Sequence, residues 1–185
     1  ISGGSISIIA NWITAMPAMC IYFLWGIKYN PVPLKWKNVP ITGWLVNSFV
    51  GVLLFIIGWM LGMNNYPYNG ITSLSIETFS HMIPYVLCFS AVSLLITLHE
   101  IQGDDAAISS TFPIVFRSST SPLFSLLMVS SALYFSLKYA DPLASTAILV
   151  SLPFFLIAAV RSLNKDILRA IRYPIFILNF FALPY

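Results

Sequence analysis

Residues 43 to 63, GWLVNSFVGVLLFIIGWMLGM, contain no charged side chain. A helix of about 20 apolar residues crosses the hydrocarbon core of a bilayer. In lipid a helix is also the one open-ended element that satisfies its own backbone hydrogen bonds. Further apolar runs cover residues 7–27, 79–98, 122–139, 142–160 and 172–185. The expected fold is therefore all-α, a polytopic transmembrane helical bundle of about six spans. Pro17, Pro84 and Pro153 fall inside these runs, where membrane helices tolerate them because neighbouring helices re-satisfy the freed backbone groups. A soluble bundle would need helices with a charged outer face, and these runs have none.

Composition excludes the same alternative. Charged residues make up 8% of the chain, against roughly 25% in soluble domains, and mean hydropathy is +0.87. No nucleic-acid partner is expected; membrane lipids are. Cys20 and Cys88 lie in apolar runs without Cys-x-x-Cys spacing and read as hydrophobic filler. The aromatic content, 15%, fits lipid-facing rings more simply than pigment contacts. The chain begins at Ile1 and ends inside an apolar run, which leads us to expect part of a longer protein.

Charge is distributed one-sidedly. Lys28, Lys35 and Lys37 occupy the first connection, Arg117 the third, and Arg161, Lys165, Arg169 and Arg172 the fifth; of the basic residues only Lys138 lies in an even one. Alternate connections emerge on one face, so the positive-inside rule assigns residues 28–42, 99–121 and 161–171 to the cytoplasm.

That face also holds half of the chain's six acidic residues, Glu100, Asp104 and Asp105, in LHEIQGDDAAISSTFP. In a helix Glu100 and Asp104 are an i, i+4 pair whose like charges repel unless a cation lies between them. Mg²⁺, which takes carboxylate and phosphate oxygens, suits such a pair, and Gly103 could let the chain fold back over it. The alternative is a solvated loop that ends a span. The first connection, KYNPVPLKWKNVP, is stiffened by Pro31, Pro33 and Pro40. An extended segment presents Lys35 and Lys37 on one side, with Tyr29 nearby, as a clamp for a diphosphate or as an interfacial anchor. Arg161, Lys165, Arg169 and Arg172 are expected on one helical stripe, closing over an anionic substrate or resting on anionic headgroups. Asn47 is a polar amide inside the second run that either bonds a neighbouring helix or faces a cavity. His81 and His99 form no zinc or di-iron pattern.

Three of these segments resemble the UbiA superfamily of intramembrane prenyltransferases. EIQGDDAAISSTFPIVF looks like its second aspartate-rich motif, YNPVPLKWK like its Tyr-Ser-x-Pro-Pro-x-Arg-Leu-Lys loop, and WLVNSFVG like the Asn-bearing start of the helix that follows. The resemblance implies nine transmembrane helices around a cavity that opens to lipid. Residues 1–185, a single transmembrane domain, would be the C-terminal two-thirds of that fold. It implies Mg²⁺ as cofactor and, as partners, a prenyl diphosphate and a hydrophobic acceptor such as an aromatic ring, a quinone precursor or a chlorin. Carried onto this chain, Glu100 and Asp104 would hold the metal and diphosphate. Tyr29, Lys35 and Lys37 would contact the diphosphate, Asn47 would belong to the substrate site, and Gly103 and Thr111 would shape the loop.

The chain departs from the family pattern in several places. Glu100 stands where Asp is usual, Asp105 where a basic residue is usual, and Ile108 where Gly is usual; no first Asp-rich motif occurs. These departures leave a second expectation open: a UbiA-like protein that has lost its chemistry and serves as a structural or pigment-binding subunit of a larger membrane complex.

Overall fold

The computed structural model describes residues 12–29, 40–63, 75–103 and 120–182, and everything described is helix or a short turn. The elements are α1 (Trp12–Ile21), continued by a π-helical segment (Tyr22–Tyr29), α2 (Pro40–Met63), α3 (Ile76–Gly103), α4 (Thr120–Lys138), α5 (Pro142–Arg161) and α6 (Asn164–Ala182).

Four stretches are long and apolar enough to cross a membrane: Ile41–Gly62, Ile76–His99, Thr120–Lys138 and Pro142–Arg161. The first helix contributes the shorter apolar stretch Ala15–Ile27. The last expected span is corrected in its bounds. Rather than beginning at residue 172, α6 starts at Asn164 and takes Lys165, Asp166, Arg169 and Arg172 into its first half. Those charges keep it below the apolarity of a span. The connection expected over 161–171 therefore shrinks to Ser162 and Leu163 between two helices.

Helix ends follow local chemistry. Asp141 caps α5, its Oδ1 accepting from Ala144 N at 2.9 Å, and Pro142 takes the first helical position, where its missing N–H costs nothing. Ser162 closes α5 in the left-handed conformation, φ 49°, and donates its N–H to Ala158 O. Ser75 and Thr78 exchange reciprocal side-chain contacts that begin α3, a capping arrangement with Thr in the usual acidic place. Pro17, Pro84, Pro153 and Pro174 all lie within helices.

Packing runs along the chain, α1 on α2, α2 on α3, α3 on α4, α4 on α5 and α5 on α6; α6 then returns to α3 and closes a four-helix group. The core of that group combines Leu95, Leu98, Val129, Ile148, Phe155 and Ile167 with Ala91, Ala132, Ala144, Ala158 and Ala170. The alanines matter because lipid offers no hydrophobic drive between helices, so association depends on close backbone approach and interhelical hydrogen bonds. Those bonds are present: Ser125 Oγ donates to Ala91 O at 3.1 Å, Ser90 Oγ to Ser48 Oγ at 2.8 Å, and Trp44 Nε1 to Ser90 O at 3.3 Å. Cys20 and Cys88 are free.

Candidate functional site

Helix direction gathers the charged ends. Trp44 and Ser48 meet Ser90, whereas Phe55, further along α2, meets Tyr85, so α2 and α3 are antiparallel. His99 Nδ1 lies 2.6 Å from Asn164 Oδ1, which joins the last turns of α3 to the start of α6. The beginning of α2, the end of α3 and the α5–α6 turn thus share one end of the bundle. At the other end Tyr85 donates to Asp141 Oδ2 at 2.9 Å, and the His81 and Tyr139 rings lie 6.1 Å apart. Lys138 belongs to that second end, 5.6 Å from the Tyr139 ring centroid.

The 28 residues of α3 span about 42 Å at 1.5 Å each. Its apolar segment stops at His99, so its final turn carries Glu100 beyond the greasy part of the helix. Glu100 is thus helical rather than looped, and Gly103 is the last residue of α3, the place where the chain changes course. Tyr29 is the last residue of the π-helical segment. Lys35, Lys37, Asp104, Asp105 and Thr111 lie outside the described residues.

Asn47 bonds a neighbouring helical segment, as one of its two readings has it. Its Oδ1 accepts from Trp25 Nε1 at 3.0 Å, tying α2 to the segment that follows α1. The expected single stripe of four cations is corrected as well. Arg161 ends α5 while Lys165, Arg169 and Arg172 sit on α6, because the turn at Ser162 interrupts the helix. The α6 residues keep their i, i+4, i+7 stripe; Arg161 instead points to Asp166.

Asp166 and His99 are what counting charges missed. Asp166 is buried, with Arg169 Nη1 at 3.2 Å and Arg161 Nε at 3.9 Å. Its i, i+3 spacing to Arg169 was the available signal. Nothing in the sequence marked His99 as the partner of a residue 65 positions away. Among the described residues no group of three His, Cys, Asp or Glu side chains could hold a metal ion by itself.

The described residues form an all-helical bundle with four helices long and apolar enough to cross a membrane, and at one end of it Asp166 meets Arg161 and Arg169. Scans against protein-family models, characterised proteins and solved structures found no match.

Proposed function

We propose that the chain belongs to a UbiA-like prenyltransferase, moving an isoprenyl group from a prenyl diphosphate to an aromatic, quinone-precursor or chlorin acceptor within the membrane. One observation carries this reading: α3 outruns its apolar segment and delivers Glu100 and Gly103 to the end where His99 meets Asn164 at the basic start of α6. The EIQGDD and YNPVPLKWK resemblances supply the chemistry for that end, which in this reading faces the cytoplasm.

An allylic diphosphate departs as its C–O bond ionises, and the barrier falls when fixed positive charge meets the developing negative charge. Lys35 and Lys37 provide such charge from a proline-stiffened connection. Glu100 and Asp104, one helical turn apart in sequence, fit Mg²⁺, which is typically held by one or two carboxylates plus phosphate oxygens. Mg²⁺ would supply Lewis-acid stabilisation of the leaving oxygens. Asn47, bonded to Trp25, would belong to the substrate site.

Asp105 favours a second reading. A negative charge beside the diphosphate, where the family carries a positive one, would weaken donor binding and suits a subunit that has kept the fold and lost the chemistry. The test is Mg²⁺-dependent binding of geranylgeranyl diphosphate to the purified full-length protein, beside a Glu100→Ala/Asp104→Ala variant. Binding that disappears in the variant and without Mg²⁺ supports the enzyme. Absence of binding by the wild type sinks it and leaves the subunit.

A further inference from the structure

The turn between α5 and α6 buries a carboxylate that its neighbours satisfy only in part. Asp166 has 0% side-chain exposure. Its Oδ1 accepts from Arg169 Nη1 at 3.2 Å. Its Oδ2 lies 3.9 Å from Arg161 Nε, an ion-pair distance too long for a hydrogen bond, and has no hydrogen-bond partner among the described residues. A buried acceptor without a donor is costly, more so when it is charged.

Asp166 lines a pocket of about 170 Å³ together with Phe154, Ile157, Arg169 and Tyr173. The Phe154 and Tyr173 rings lie 4.6 Å apart, and Ile157 and Tyr173 are partly exposed on the outside of the bundle. The pocket is thus polar at one side and greasy at the other. It sits where the apolar stretch of α5 ends at Arg161, the depth at which a bilayer changes from acyl chain to headgroup. Arg161 and Arg169 are about half exposed, 57% and 54%. Each guanidinium has five N–H donors, of which Asp166 engages only part.

We propose that this pocket is a phospholipid headgroup site for phosphoethanolamine, independent of the residues assigned to the prenyl diphosphate. Arg161 and Arg169 hold the phosphodiester oxygens, as paired guanidiniums commonly do. The ammonium donates to Asp166 Oδ2, completing the acceptor that the described residues leave unpaired. The acyl chains run down past Tyr173, Phe154 and Ile157. Phosphocholine shares the phosphate and the positive charge but has no N–H, so it satisfies the arginines and not the aspartate.

The ligand series isolates that one hydrogen bond without any mutation. Retention by the detergent-purified full-length protein is followed by native mass spectrometry for dioleoyl phosphatidylethanolamine, its N-methyl and N,N-dimethyl derivatives, phosphatidylcholine and phosphatidylglycerol. Binding is expected to persist while one N–H remains and to fall roughly tenfold at phosphatidylcholine, the scale of one hydrogen bond to a charged group. Asp166→Asn should collapse the ethanolamine-to-choline ratio, and Arg161→Gln should weaken both lipids while preserving it. Equal retention of ethanolamine and choline lipids overturns the proposal. Preference for phosphatidylglycerol over the ethanolamine lipid does so too, since it would make the pocket a plain anion site. Displacement of the lipid by millimolar soluble O-phosphoethanolamine would show that the headgroup chemistry is read from a soluble ligand, and the lipid assignment falls.

Discussion

Substituting Gly51 tests a close approach between α2 and α3. A methyl group there would stand 2.7 Å from Phe89 Cδ1, 3.0 Å from Cγ and 3.3 Å from Cβ, where carbon atoms prefer about 3.5–4.0 Å. Turning the ring relieves the first contact but not the last, because Phe89 Cβ is fixed to the α3 backbone. The helices must separate by some tenths of an ångström, and the Trp44–Ser90 and Ser48–Ser90 bonds at the same interface lengthen with them. Overpacking of this kind costs about 1–3 kcal/mol, offset by up to about 1 kcal/mol because Ala favours helix over Gly. Gly58, on the same helix, has nothing among the described residues within 4 Å of its would-be Cβ. Gly58→Ala therefore experiences the propensity gain alone, and the difference between the two variants isolates the clash. In thermal unfolding in one detergent, each 1 kcal/mol corresponds to about 2–4 °C in a chain of this size. Gly51→Ala should melt several degrees below Gly58→Ala, and Phe89→Leu should recover part of the loss in the Gly51→Ala background. Equal melting temperatures for the two alanine variants would refute the α2–α3 contact.

Asp141→Ala removes both the cap on α5 and the acceptor of the Tyr85 hydroxyl, and should cost about 1–2 kcal/mol in denaturation. Tyr85→Phe should cost less, and the double variant should fall short of the sum, since both changes break the same bond. Ala140 sits at φ 52° in the turn between α4 and α5; Ala140→Gly should raise stability by up to about 1 kcal/mol by removing a left-handed conformation that Cβ disfavours. His99→Cys/Asn164→Cys, in a background lacking Cys20 and Cys88, should crosslink with a short bismaleimide, while His99→Cys/Lys138→Cys should not. Crosslinking of the second pair, visible as a gel shift after protease nicking, would contradict the assignment of the two ends.

The apolar runs read from the sequence at 43–63, 79–98, 122–139 and 142–160 each coincide with a helix, α2 through α5. They were legible because lipid imposes one requirement, sustained apolarity, that leaves a direct trace in composition. Where that requirement lapses, the trace goes too. The start of α6 at Asn164 and the continuation of α3 to Gly103 depend on packing at the membrane boundary, and hydropathy carries no record of it. Asp166 was hidden among four cations whose number suggested only a basic face. Asn47 was legible as a polar group in an apolar helix, yet which partner it chose depended on where Trp25 came to lie.

The two ends of the bundle spend their polar groups differently, and this indicates where ligand chemistry can occur. At the α4–α5 end Asp141 is occupied twice, by Ala144 N and by the Tyr85 hydroxyl, while Lys138 lies against the Tyr139 ring. Those groups are consumed in holding helices together. At the α3–α6 end a buried Asp166 oxygen lacks a donor among the described residues, two arginines remain half exposed, and the cation stripe of α6 stands beside the helix that carries Glu100. Charge is unfavourable to retain in a membrane protein, so the Asp166 cluster with its two half-exposed arginines marks an end that can bind. Substitutions around Asp141 should therefore register as lost stability with ligand affinity intact, whereas Glu100→Ala should register as lost affinity with little change in melting.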